Sequence, residues 1–168
     1  DISLTKNKVS NEGTSFRVTE DGNYQSVTAN SHNRFQSGYG SAWVASLELP
    51  DMADGKGVGF VLHKRENNAT AWGKWMRIVV KKTSGEAIEL YTQMHVDGSF
   101  DEATTIYPAE IYAKGKTLQV ALMNGNIVVT LDNTVIATYD SSSKLTANSN
   151  NTVGAVFGDL SDVYCGLL

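Results

Sequence analysis

The sequence predicts an all-β domain, an antiparallel two-sheet β-sandwich, and three observations carry that expectation. The β-branched residues Val, Ile and Thr number 38 of 168, a load that suits pleated sheets better than helices. Short alternating segments, punctuated by Gly, Asn, Asp and Ser, run from one end of the chain to the other. No segment sustains a helical apolar period for three turns. A chain this long builds one sizeable core, so residues 1–168 are expected to form a single domain.

The alternation and its breaks place the elements in order. Residues 14–19 and 24–29 flank Glu20-Asp21-Gly22-Asn23, a hairpin-type turn. Residues 41–49 alternate and stop at Pro50, and 51–56 form a polar loop. Strands are expected over 57–65 and 72–82, joined by the loop 66–71. Thr83-Ser84-Gly85 turns the chain into a strand over 87–96. The stretch 97–113, with Pro108 inside it, is the least regular, and 109–113 fits one helical turn. Residues 117–123 and 126–131 around Asn124-Gly125 form the clearest hairpin, because Asn-Gly accepts the positive φ angles of a tight turn. Strands over 135–139, 152–158 and 163–167, with a Ser/Asn-rich loop over 140–151, complete the domain.

Composition removes several function classes. With 14 Lys+Arg against 18 Asp+Glu, the chain lacks the basic surface that nucleic acid requires, so no nucleic-acid partner is expected. No apolar run approaches the roughly 20 residues of a membrane helix, so no membrane partner is expected either. The single cysteine, Cys165, cannot form an intrachain disulfide and reads as a small buried hydrophobe. The chain opens at Asp1 without Met or signal peptide and is polar but weakly charged. It reads as secreted, extracellular and monomeric, a mature protein or a module of a larger one.

The stretch Leu118 to Ala137 (LQVALMNGNIVVTLDNTVIA), followed by Thr152 to Phe157 (TVGAVF), resembles the concanavalin A-like (laminin G-like) jelly-roll superfamily. The segments Gly59 to Arg65 and Trp75 to Val80 sit where such domains carry central strands. The resemblance covers roughly residues 40 to 160 and implies a jelly-roll sandwich. Members include lectins, carbohydrate-binding modules attached to glycosidases, adhesion domains and some glucanases, and fold alone does not choose among them.

Alternation separates two faces in the central strands, since successive side chains point to opposite sides. Val58, Phe60, Leu62, Met76, Ile78, Val80, Ile88, Leu90 and Met94 form the expected core set. The opposite set holds Val61, His63 and Arg65; Trp75, Arg77, Val79 and Lys81; and Glu89, Tyr91, Gln93 and His95. Turn lengths suggest the rows Arg65–Trp75–Gln93 and His63–Arg77–Tyr91, with a two-residue slip allowed; a one-residue slip would bury the polar set. Pyranose rings stack their C–H face on aromatics and need directed donors and acceptors for their hydroxyls. The candidate ligand-binding residues are therefore Trp75, Tyr91, Arg77, His63, Arg65, Gln93, His95 and Glu89, with Trp72 extending the platform. Ordinary cross-strand pairing, worth about 0.2–1 kcal/mol per pair, accounts for the same residues without a ligand.

Catalytic and metal signals are sparse. Glucanases of this superfamily that resemble laminarinases carry Glu-x-Asp-x-(x)-Glu on one strand, and no such run occurs here. Glycoside hydrolysis needs two carboxylates roughly 5–10 Å apart, and the face offers Glu89, with Glu48 as a distant second. No third ligand joins His63 and His95 for zinc. Asp159, Asp162 and Asp21-Gly22-Asn23 are candidate oxygen ligands for a structural calcium, though no cofactor is required.

The sequence thus points to a secreted, lectin-like, non-catalytic carbohydrate-binding module that is not an enzyme, one part of a larger multimodular glycoside hydrolase. Its expected partner is an extended polysaccharide or oligosaccharide, with a plant cell-wall β-glycan such as xylan favoured, and Trp75→Ala is expected to lose most binding with the melting temperature nearly unchanged. The alternatives are a laminin G-like adhesion domain binding protein or terminal sugars, and a small glycoside hydrolase or lyase of the same fold.

Overall fold

The alternating segments do form strands. In the computed structural model, residues 9–11, 16–18, 34–35, 42–64, 74–83, 87–96, 99–107, 115–160 and 163–167 are described. The strands are β1 (Val9–Asn11), β2 (Phe16–Val18), β3 (Arg34–Phe35), β4 (Trp43–Glu48), β5 (Gly57–Lys64) and β6 (Lys74–Lys82). They continue with β7 (Ile88–Val96), β8 (Ser99–Tyr107), β9 (Thr117–Met123), β10 (Asn126–Leu131), β11 (Thr134–Tyr139) and β12 (Val163–Leu167). Among the described residues one helix, α1 (Val153–Phe157), precedes β12. The turn at Glu20–Asn23, the strand over 24–29, the loop 66–71 and the helical turn over 109–113 lie outside the described residues.

Among the described residues, a four-stranded sheet in the order β11-β10-β9-β4 packs against a six-stranded sheet in the order β3-β12-β5-β6-β7-β8. A separate hairpin pairs β1 with β2. Every pairing is antiparallel, so the chain is an all-β two-sheet sandwich. The core lies where the predicted apolar faces meet: Phe60, Leu62, Met76, Ile78 and Met94 of one sheet against Leu118, Val120, Leu122, Ile127 and Val129 of the other. Each such side chain contributes about 1.5–3 kcal/mol on leaving water. The Tyr139 hydroxyl donates across the core to Thr92 Oγ1 at 3.5 Å, and Tyr107 donates to the Ile136 carbonyl at 3.1 Å.

Turn chemistry sets the hairpins. Asn124 (φ 51°) and Gly125 (φ 74°) both occupy the left-handed region, the requirement of a two-residue turn between β9 and β10. Gly59 is demanded for another reason: a Cβ there would lie 2.0 Å from the Ile78 carbonyl oxygen, so β5 and β6 approach too closely for any side chain.

Three expectations are corrected. Residues 153–157 form a helix rather than a closing strand. Thr152 accepts from the Ala155 N–H at 3.1 Å as N-cap, and Gly158 (φ 70°) ends the helix. These local stop signals outweigh the β-branched content of TVGAVF. Residues 99–107 are a regular edge strand, hidden in the sequence because its one fully buried residue is Asp101, with Ala103 and Tyr107 partly buried on the same side, while the apolar Phe100 and Ile106 face outward. Asp101 is buried and accepts from the hydroxyls of Thr146 (3.4 Å) and Ser149, which tie the Ser/Asn-rich loop to the sheet. Finally, the β6–β7 register pairs Arg77 with Gln93 and Trp75 with His95, two residues from the favoured alignment. The hairpin loop spans Thr83 to Ala87, where Thr83 bonds the Ala87 carbonyl through both its N–H and its hydroxyl at 2.9 Å.

Candidate functional site

The corrected register assembles the outward face of the six-stranded sheet into rows. One row runs Val61–Arg77–Gln93–Glu102 across β5 to β8. The next runs Trp75–His95–Phe100, and on the other side lie Gly59–Val79–Tyr91–Thr104 and Gly57–Lys81–Glu89–Ile106. Period-two alternation brings these residues together, and the even parity of the slip keeps the whole polar set on this face.

The centre of the face is packed rather than open. Val61, Trp75 and Val79 form a second apolar cluster with half-buried Tyr91 against it, and Trp75 is only 3% exposed. The Trp75 ring stacks on His95 (centroids 5.3 Å apart, planes at 13°) and meets Phe100 edge-on at 6.0 Å. His95 and Phe100 are 4.5 Å apart. The Arg77 guanidinium lies over the Trp75 ring, 4.2 Å from its centroid. Phe100, at the open end of the row, is 58% exposed.

Gln93 is buried beside Arg77. Its Nε2 donates to Glu102 Oε1, and its Oε1 has no hydrogen-bond partner among the described residues. In the outer row Lys81 pairs with Glu89 at 3.4 Å and stands 5.7 Å from the Tyr91 ring.

Of the sequence candidates, Trp75, Arg77, Gln93, Tyr91, Glu89 and His95 share this face. His63 is placed by register alone, opposite Tyr164 of β12. Arg65 and Trp72 lie outside the described residues. Glu48 belongs to the four-stranded sheet and is exposed on its outer side, so it does not join Glu89. Sequence reasoning missed Phe100 and Glu102 with the rest of β8. The signal was present in the alternation of Phe100, Glu102, Thr104 and Ile106, whose cross-strand partners are His95, Gln93, Tyr91 and Glu89.

Glu102 and Glu89 are one strand and four residues apart, about 14 Å between backbones at ordinary strand spacing. Among the described residues no group of three or more His, Cys, Asp or Glu is arranged to hold a metal ion. Of the calcium candidates, Asp159 is described and exposed, whereas Asp162 and Asp21–Asn23 lie outside the described residues.

No protein-family model matches the chain, and no curated protein sequence matches it. Among solved structures the chain is similar to a glycoside hydrolase family 16 endo-glucanase from Bacteroides ovatus, with 13% identity and a TM-score of 0.48. The likeness covers 81% of this chain and 56% of that one, so the chain spans little more than half the length of the enzyme. The expectation that the chain is a non-catalytic module and not an enzyme does not stand, the solved structure it is similar to being a glycoside hydrolase. At this level of similarity neither activity nor substrate carries over.

Proposed function

We propose that the outward face of β6, β7 and β8 is a glycan-binding surface. The observation that carries this reading is the Trp75–His95–Phe100 row, buried at one end and open at the other. A large aromatic exposed on an edge strand keeps apolar surface in water, and a solvated partner with an apolar face removes that cost. A pyranose ring is such a partner, and His95 together with the neighbouring Gln93–Glu102 pair offers polar atoms for its hydroxyls. Trp75 acts here as the brace that fixes His95 and Phe100, not as the platform itself.

The rows extend over three strands, which favours a chain of sugars over one terminal residue. A plant cell-wall β-glycan such as xylan is the first ligand to try, in a secreted and multimodular setting. A protein-binding role has one observation in its favour, the exposed Val44 and Met123 on the outer side of the four-stranded sheet.

Native affinity electrophoresis against soluble xylan, mixed-linkage β-glucan, mannan and polygalacturonate tests the proposal. Wild type should be retarded by at least one of them, and Phe100→Ala should run as in a blank gel. Equal retardation of wild type and Phe100→Ala would remove this face from consideration, and reducing sugar released during the run would show that binding leads to hydrolysis.

A further inference from the structure

The four-stranded sheet differs from its partner in charge. Glu48, at the end of β4, is the one charged residue in β4, β9, β10 and β11, whereas β6 alone carries Lys74, Arg77, Lys81 and Lys82. On the outer side of the smaller sheet the row Val44–Ala121–Val128–Thr138 crosses all four strands. Met123 flanks this row on one side and Val135 on the other; Val44 is 54%, Met123 46% and Val135 58% exposed. In the next row the Thr130 hydroxyl donates to Gln119 Oε1 at 3.3 Å, so these two groups are already paired within the sheet. A solvated face ordinarily carries charge at about 25–35% of its positions. This one keeps apolar side chains in water instead, a cost that a covering surface removes.

The same composition decides the occupant. Around a two-fold axis one patch serves both copies, and a residue on the axis meets itself. A Lys or Glu there would meet a like charge, whereas methyl groups pack on methyl groups and a hydroxyl both gives and accepts a hydrogen bond. With 14 Lys+Arg against 18 Asp+Glu, two copies repel on average, and they approach most easily through a face that lacks charge. A different protein would be selected by complementary charges, which this face does not offer beyond Glu48 at its border.

From this pattern we infer that the outer face of β4, β9, β10 and β11 packs on the same face of a second copy, forming a two-fold dimer of stacked four-stranded sheets. At ordinary strand spacing the face measures roughly 19 by 20 Å, so a pair of copies buries at least about 800 Å². An interface of that size is weak and exchanging, with a Kd on the order of 100 μM. Both six-stranded sheets then face outward, and a long glycan would meet the Phe100 row of each copy. The dimer itself does not depend on that row binding glycan.

Sedimentation equilibrium of the whole chain from about 10 μM to about 1 mM, at low and at high salt, tests the dimer, with thermal unfolding as the fold control. Wild type should pass from monomer to dimer across that range, and more readily at high salt, where like-charge repulsion is screened. Val44→Lys and Met123→Lys change exposed side chains and should melt with wild type. Each should nevertheless raise the Kd at least about tenfold by burying an unpaired charge. Ile106→Lys, at an exposed position on the other sheet, should associate as wild type does. A wild type that stays monomeric to the top of the range would overturn the dimer. So would association that Val44→Lys and Met123→Lys leave unchanged, or that Ile106→Lys abolishes, since either result places the contact elsewhere. Association that weakens with salt would assign the contact to charged groups and overturn it equally.

Discussion

The Arg77 guanidinium carbon lies 4.2 Å from the centre of the Trp75 ring, two residues away on the same strand and the same face. With His95 stacked on that ring as well, the indole is held by two neighbours and is almost wholly removed from solvent.

Trp75→Ala is therefore a stability mutation before it is a binding mutation, contrary to the expectation from the sequence. Truncating a buried Trp should cost about 3–5 kcal/mol in urea unfolding. Phe100→Ala, at an exposed site, should cost under about 1 kcal/mol. Equal and small effects from both would mean that Trp75 is not packed as described.

Gly59→Ala should be among the most damaging single-methyl additions in the chain. The added carbon has the Ile78 carbonyl oxygen 2.0 Å away and the Val79 Cα at 2.7 Å, so β5 and β6 must part locally. Overpacking against backbone costs at least about 1–3 kcal/mol. A thermal midpoint unchanged by Gly59→Ala would contradict the close approach.

The short helix depends on its cap. Thr152→Ala removes the side-chain acceptor for the Ala155 N–H and should lower stability by about 1 kcal/mol, with Thr152→Ser restoring most of it. A strand at this position would respond to neither change in that order.

Two titrations act at opposite ends of the pH scale. Hydrogen bonds from the Ser142 side chain and N–H, with the Ser143 hydroxyl, hold the Asp140 carboxyl below its ordinary 3.8. Its pKa is lower folded than unfolded, so its contribution is present above about pH 4 and fades as the pH falls through the folded value. The gap in melting temperature between wild type and Asp140→Asn should accordingly close on acidification.

Burial pushes the Tyr139 phenol above its ordinary 10.0, the hydrogen bond with Thr92 opposing in part. The unfolded chain then ionises first in alkali, so stability declines above about pH 10. Tyr139→Phe should be less stable at neutral pH by about 1 kcal/mol, the worth of one hydrogen bond, and should show a shallower alkaline decline.

The fold was legible because its cause is local. Alternation in Gly57–Lys64, Lys74–Lys82 and Ile88–Val96 marks both faces of each strand, and Asn124-Gly125 marks its own turn. The register was less so: Thr83 closes a five-residue loop through bonds to Ala87, a choice between loop lengths that the turn residues alone do not reveal. On β8 the usual pattern is inverted, with Asp101 inside, bonded to Ser149, and Phe100 outside, so the strand carrying Glu102 read as irregular. The candidate face was legible in composition. That its centre is packed was not, since Trp75, Arg77 and Gln93 look like exposed residues until their neighbours are known.

The most direct measurement is a backbone and side-chain NMR titration of the isotope-labelled protein with the oligosaccharide of whichever polysaccharide retards it. The account predicts shift changes at Phe100, Glu102, Gln93 and His95 and at the Trp75 indole N–H, with Val44, Met123 and Val135 on the opposite sheet unmoved. Changes confined to that opposite sheet would contradict it.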